Sequence, residues 1–426
     1  MFCFKAFLTG QSLSPLTIRL LLIFLSYNEL YQIYKVTILV NKNFLIIAMS
    51  TLFLAFLVFF FIQKNTDEKS TIVLGASLPL SGINSNLGKD IVVGANTYFS
   101  HTNAKGGING QKLEFIQYDD KYEPENTLTN TQTLIEKDKV FALFGFVGTP
   151  TVKKILPIIA QSDIPFIAPY TGASFLRSPD TPNIINFRSS YVEEIDALVE
   201  YLSQTKGVTK FAIFYQNDDY GEEGYVALSA SLASRNLELK AEGTYKRNTL
   251  SIQHAIHEIR SAKPEAIILV GAYKPTARFI EKVKECCLEG VIFSPISFVN
   301  ANALMEELHG NGENILFSQT VPSYDDFLSN EAVEYINLLK FYYPKEEPTL
   351  VSFESYLAAK SVVMALKNTQ GTITREKFLA SLKSISKHTL DNIPLAYHHS
   401  QLLNQVYLST YSDGKFHIIT KKDGSK

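Results

Sequence analysis

Residues 72–82 read IVLGASLPLSG, residues 94–99 read GANTYF and residues 103–124 read NAKGGINGQKLEFIQYDDKYEP. The first is an apolar run of strand length that stops at small residues and proline. Around the second, Ile91, Ala95, Tyr98 and Thr102 recur at three- and four-residue steps, which predicts one face of a helix over 90–103. A glycine-rich turn reverses the chain, and a second apolar run ends in Asp119 and Asp120. Strand, helix and parallel strand in that order put the small polar residues at the carboxyl edge of a sheet, where open α/β folds bind ligands.

Working outward, further apolar runs of strand length lie at 140–146, 165–169, 211–215, 266–270, 291–293 and 315–317, with helical spacing between them. Strands regularly separated by helices predict parallel sheets flanked by helices. The last third turns helical at 331–341, 353–368 and 374–384, then β-like at 406–410 and 416–419. With 426 residues, 46% hydrophobic and 19% charged, the chain has material for two lobes. A net charge of −2 gives no basic face for nucleic acid. Of three cysteines, Cys286 and Cys287 are adjacent and Cys3 is remote, so no disulfide framework is expected; one of the adjacent pair is read as buried and the other as half-exposed.

Residues 44–62, FLIIAMSTLFLAFLVFFFI, carry no charge and are long enough to cross a hydrocarbon core. Lys35 and Lys42 precede them, which predicts a cytoplasmic N-terminus and an exported remainder. No small-residue cleavage site follows and no lipoprotein cysteine is present, so an uncleaved anchor is the preferred reading. Residues 1–43 form an extension with two readings: a second, weak membrane-associated segment, or a true start further in. Residues 63–70 read as a short linker.

The order and wording of the strand-end motifs resemble the type I periplasmic binding proteins, in particular the branched-chain amino acid (leucine/isoleucine/valine)-binding family of ABC transporter solute-binding proteins. The resemblance implies two Rossmann-like lobes joined by a three-crossing hinge: lobe 1 from 71–188 plus 319–395, lobe 2 from 189–318 plus 396–426. It implies clamshell capture of a small-molecule ligand on the periplasmic side of the inner membrane, with an ABC permease as partner. An extracytoplasmic sensor signalling to a membrane kinase or chemoreceptor is the alternative. No cofactor or metal is expected. No enzyme is expected either, because no GxSxG, HExxH or Walker-type string occurs.

Candidate ligand-binding residues sit at the strand ends. Thr149 precedes Pro150, the pattern of an N-cap followed by proline at the first helical position, and a helix N-terminus is a ready site for a carboxylate. A cap with no other role is the competing reading. Tyr170, Thr171 and Gly172 follow the next strand and face the same edge. Tyr220 and Tyr273 end strands of the second lobe, where the resembled binders close tyrosines over ligand. Ile296 falls in the slot of the glutamate that neutralises the ligand ammonium in those binders. A buried ammonium beside isoleucine is costly, so a small carboxylate or amide with an apolar or aromatic body is expected over a free α-amino acid. The family's first-lobe disulfide is missing, with Tyr122 and Gly148 at its ends, and Leu87 replaces an aromatic residue. Asp119 and Asp120 point to opposite faces of a strand and read as braces of the turn before Pro124, and His398 and His399 as a solvated loop.

Overall fold

The computed structural model describes residues 27–64, 71–286, 288–325, 329–386 and 390–419, in two compact units, Met1–Lys69 and Ser70–Lys426. In the first unit, α1 (Tyr27–Lys64) is a continuous helix of 38 residues. Phe44, Met49, Leu52 and Phe53 lie exposed along it. Among the described residues no helix is long and apolar enough to cross a membrane, so the span expected over 44–62 is not supported there; of that span, the side chains of residues 45, 48 and 57–62 lie outside the described set. Residues 1–26 of the expected extension and 65–70 of the expected linker also lie outside it, whereas Gln63 and Lys64 end the helix.

The second unit opens as the sequence predicts. β1 (Ile72–Leu78), α2 (Ser85–Ala104), β2 (Leu113–Asp119), α3 (Pro124–Glu136), β3 (Ala142–Phe144), α4 (Thr149–Ala160), β4 (Phe166–Ile167) and β5 (Ile184–Ile185) build a parallel sheet in the order β2-β1-β3-β4-β5. β1, β3, β4 and β5 are buried almost throughout because helices cover both faces, whereas β2 at the edge is mostly half-buried. After α5 (Tyr191–Glu200), the elements β6 (Phe211–Gln216), α6 (Asp219–Ala233), β7 (Leu239–Tyr245), α7 (Gln253–Ala262), β8 (Ala266–Val270), α8 (Tyr273–Cys286) and β9 (Ile292–Pro295) repeat the plan as a parallel sheet in the order β7-β6-β8-β9. The first strand of each sheet lies between the second and the third, so each sheet has a switch point at its carboxyl edge.

The chain then runs through α9 (Ala301–Glu307), β10 (Phe317–Gln319), α10 (Asn330–Tyr342), α11 (Leu350–Asn368), α12 (Arg375–Lys383), β11 (Tyr407–Ser412) and β12 (Lys415–Ile418). β11 pairs antiparallel with β10, and β12 pairs antiparallel with β11. The GANTYF motif finds its reason in α11: a Cβ on Gly94 would sit 2.0 Å from the Ser352 carbonyl oxygen. Only glycine lets the two helices pack at that distance.

Two strands escaped the sequence reading. β5 is two residues long, and β7 alternates exposed and buried positions (LKAEGTY) without an apolar run. The cysteine expectation also needs correcting. Cys286 is exposed and disulfide-bonded; it ends α8 where the helix leaves the core.

Candidate functional site

The carboxyl edges of the two parallel sheets come together, and the site grows from their loops. After β1, Leu80 and Ser81 are held by Asp119, which accepts from both backbone N–H groups (2.9 and 3.3 Å) and from the Ser81 hydroxyl (2.6 Å). Asp120 points the other way and accepts from Ser77 Oγ, Thr127 Oγ1 and the Tyr122 N–H. Burial nevertheless pushes its carboxyl up to about 6. The two acids brace the loop that carries Tyr122, which is fully buried.

After β3 the chain turns through Gly148 at φ 101°, a conformation that favours glycine. A Cβ there would meet the Tyr122 ring at 2.3 Å. The ring packs on Gly148, joining the two positions at which the resemblance implied a disulfide. Helix α4 begins at Thr149 with Gly148 as its cap, and no side chain caps it. The expected N-cap is thus displaced by one residue, because the glycine makes the turn. The Thr149 hydroxyl is left to share a 2.8 Å hydrogen bond with Thr171 Oγ1, which lies 3.1 Å from the Tyr191 hydroxyl. Thr149, Thr171 and Tyr191 are 0% exposed, and burial pushes the Tyr191 phenol up to about 12. Gly172 carries the loop under Tyr191, whose ring would touch a Cβ there at 2.5 Å.

The second sheet supplies the opposite wall. Asp218 caps α6 by accepting from the Tyr220 N–H at 3.1 Å, which fixes Tyr220 at the first turn with 0% exposure. After β9, a 3₁₀ turn (Ser297–Val299) carries Phe298. Its ring centroid lies 4.5 Å from that of Tyr220, 5.8 Å from Tyr170, 6.3 Å from Tyr122 and 6.5 Å from Tyr191. Tyr170 also reaches across to the Ser297 carbonyl at 3.5 Å. The structure therefore brings Thr149, Tyr170, Thr171, Gly172 and Tyr220 together. Ile296 is buried in the same apolar cluster as Tyr170, Tyr220 and Phe298, with its N–H bonded to the Leu269 carbonyl. Tyr273 stands apart from these rings, at the start of α8 in the other apolar cluster. Burial, with Glu307, Glu306 and Asp90 nearby, pushes its phenol up to about 12.

Beneath the rings lies a charged group that the sequence reading missed. Arg188, 0% exposed, follows β5 and donates to both oxygens of Glu354 on α11 (3.0 and 3.1 Å) and to Ser297 Oγ (2.7 Å). Its guanidinium carbon sits 3.9 Å over the Tyr170 ring, a cation–π position. Burial disfavours its charge, but Glu354, Tyr170, Glu194 and Tyr191 together outweigh this and hold the guanidinium charged. Glu194 on α5 accepts from the Ser297 N–H and hydroxyl and from Ser318 Oγ. The run NFRSSYVEE, 186–194, shows one signal of this: Ser190 and Glu193 form a capping box that starts α5. Nothing in it announces Glu354, which is 166 residues away.

Polar contacts join the two walls around this centre. Glu123 accepts from Arg247 Nη2 (3.0 Å) and Asn248 Nδ2 (2.7 Å), Lys153 pairs with Asp219 (2.5 Å), and the Ser174 N–H donates to Glu223 (3.0 Å). On the α2 side, Asp90 accepts from Asn300 Nδ2 at 3.2 Å. Burial raises the Asp90 carboxyl to about 7, although Asn300 and Thr349 bond to it, with Glu346 and Glu306 adding repulsion.

A buried, hydroxyl-lined cleft between two parallel-sheet edges is solute-binding architecture, and comparison with known proteins agrees. A family profile described as "Periplasmic binding protein" matches residues 71–414. The chain is 23% identical over 224 residues to an amino acid binding protein of Pseudomonas aeruginosa, spanning 52% of this chain and 59% of that relative's length. A possible leucine/isoleucine/valine-binding protein from Rhodopirellula baltica superposes with a TM-score of 0.79 at 29% identity, covering 84% of this chain and 99% of that one. An ABC transporter solute-binding protein from R. palustris in complex with benzoate superposes with a TM-score of 0.73 at 21% identity, covering 82% and 95%. The chain belongs to the type I periplasmic binding proteins, in the leucine/isoleucine/valine-binding family.

Proposed function

We propose that this protein is the extracytoplasmic solute-binding component of an ABC importer, closing two lobes over a small organic carboxylate or amide with an apolar or aromatic body. Lobe 1 comprises 71–188 plus 319–395, lobe 2 comprises 189–318 plus 396–426, and three chain crossings form the hinge. The observation that carries the reading is the pair of bonded hydroxyls, Thr149 and Thr171, buried where the two sheet edges meet beside Tyr191, on which Tyr220 packs. Hydroxyls and a helix N-terminus at one point suit a carboxylate. The rings beyond them suit an apolar body. Ile296 supplies no anion for an ammonium, and Glu194 spends its oxygens on three serine donors and lies in the field of Arg188. The R. palustris binder with benzoate gives this ligand class a precedent.

Closure works by differential affinity: a solute that touches both walls favours the closed form by the free energy of the contacts made only there. No bond is made or broken, and the protein is not an enzyme. It works on the periplasmic side of the inner membrane, where its partner is the permease.

A thermal-shift screen of the full chain in mild detergent tests the reading, because a solute that binds the native state raises its melting temperature by mass action. Benzoate or phenylacetate should raise it, and leucine or valine should not. A rise with leucine or valine alone would overturn the ligand class.

A further inference from the structure

Phe298 fills the centre of the cleft. It belongs to the second sheet's turn after β9, yet it touches rings from both walls: Tyr122 and Tyr170 from the first, Tyr191 and Tyr220 on the other side. Its exposure is 1%. Four tyrosines around one phenyl ring, at centroid separations of 4.5–6.5 Å, make a cage in the range where tilted and edge-on aromatic pairs attract. The cage also has polar corners. The Tyr220 hydroxyl has no hydrogen-bond partner among the described residues. The Tyr122 hydroxyl likewise has no hydrogen-bond partner among the described residues, although the Gln216 side chain is near it. Both Gln216 side-chain atoms are already engaged, with Asp218 and Tyr245. A benzyl ring cannot satisfy either phenol, and an unmet buried donor is a persistent cost.

We propose that Phe298 is a built-in occupant of the solute cleft: its ring holds the two walls together, and solute enters by displacing it. The inference rests on the solute-binding reading and deepens it. The ring's successor must fit a cage the size of one phenyl group and offer hydrogen-bond acceptors toward Tyr122 and Tyr220. That describes a monocyclic aromatic carrying a carboxylate or ring oxygen. A fused bicycle is too large for the cage, and an aliphatic amino acid leaves the faces of four rings poorly covered. Displacement also tunes affinity. A solute binds only the fraction of molecules whose cage is free, and its apparent dissociation constant rises by the inverse of that fraction.

The test follows the separation of the walls by pulsed electron paramagnetic resonance, with spin-labelled non-natural amino acids at Lys137, which is exposed just after α3, and Leu250, exposed in the loop after β7. In the full chain without added solute a short-distance population should dominate. Phe298→Ala should lose it to a longer distance, and toluene, the side-chain analogue of the missing ring, should restore it, since apolar cavities of this size take up such molecules. Phe298→Leu, which keeps much of the volume, should lie between the two and guards against a folding failure of the alanine variant. Unchanged distances in both variants, or opening that toluene does not reverse, would overturn the proposal. Benzoate affinity read on Phe298→Ala, expected to be at least tenfold tighter than on the parent chain, reports separately on the solute class. Opening and toluene closure without benzoate binding would keep the plug and overturn the carboxylate.

Discussion

Replacing Arg188 with methionine should be among the most damaging single substitutions in the second unit, and the structure sets the size of the effect. The guanidinium is 0% exposed and spans three elements: the segment after β5, α11 through Glu354, and the turn after β9 through Ser297. Methionine keeps the volume of the stem and removes the charge. Glu354 would keep one short bond, from Thr320 Oγ1 at 2.7 Å, and would otherwise be a buried anion without a cation. Glu194, whose carboxyl burial already raises against the opposing pull of Arg188 and its serine donors, would lose that pull. Breaking a buried ion pair from one side costs about 3–5 kcal/mol. Replacing both partners with apolar residues removes the stranded charge, so Arg188→Met/Glu354→Met should recover at least about 2 kcal/mol of the loss. Equilibrium unfolding in urea, followed by circular dichroism, measures each variant. If Arg188→Met loses less than about 1 kcal/mol, or if the two substitutions simply add, the pair is not the buried, mutually dependent bridge described here.

Stability should also respond to pH through Asp90. Its folded carboxyl sits at about 7 against an ordinary 3.8, so the folded state holds the proton more tightly than the unfolded chain. Stability from this group is greatest near pH 4, declines as pH rises from about 4 to 7, and is flat above. Asp120, held up to about 6, acts in the same direction. Asp90→Asn should therefore flatten, without abolishing, the fall of the urea midpoint across that window. Thr149→Ala and Thr171→Ala should each weaken the solute found by thermal shift about tenfold in isothermal titration, the scale of one hydrogen bond to a charged group. Glu123→Gln weakens a partly exposed cross-wall pair worth at most about 1 kcal/mol. It should speed solute release up to about fivefold in stopped flow and leave the urea midpoint almost unchanged.

Much of the first sheet was legible because its determinants are local. The apolar run at 72–78 becomes β1 with the same bounds, the face Ile91–Ala95–Tyr98 becomes the buried side of α2, and the turns between them are glycines at positive φ. The two strands missed, β5 and β7, both lie at sheet edges. Half of β7 meets water, so its composition carries no run to find. The loops holding Thr149, Thr171 and Tyr220 could be picked out for a related reason: parallel strands end where helices begin, and small polar residues collect there.

The composition of the cleft was a different matter. By itself the sequence determined the alternation of strand and helix, the parallel sheets, and the strand ends at which a solute site would form, because all of these follow from periodicity over neighbouring residues. Only the tertiary structure decided that Arg188 meets Glu354, that the Tyr122 ring lies on Gly148, and that Phe298 stands among four tyrosines. These contacts join residues far apart in the chain, where no local pattern constrains the partner. Which side chains share a buried space depends on how the two sheet edges meet, and that is a property of the packed fold.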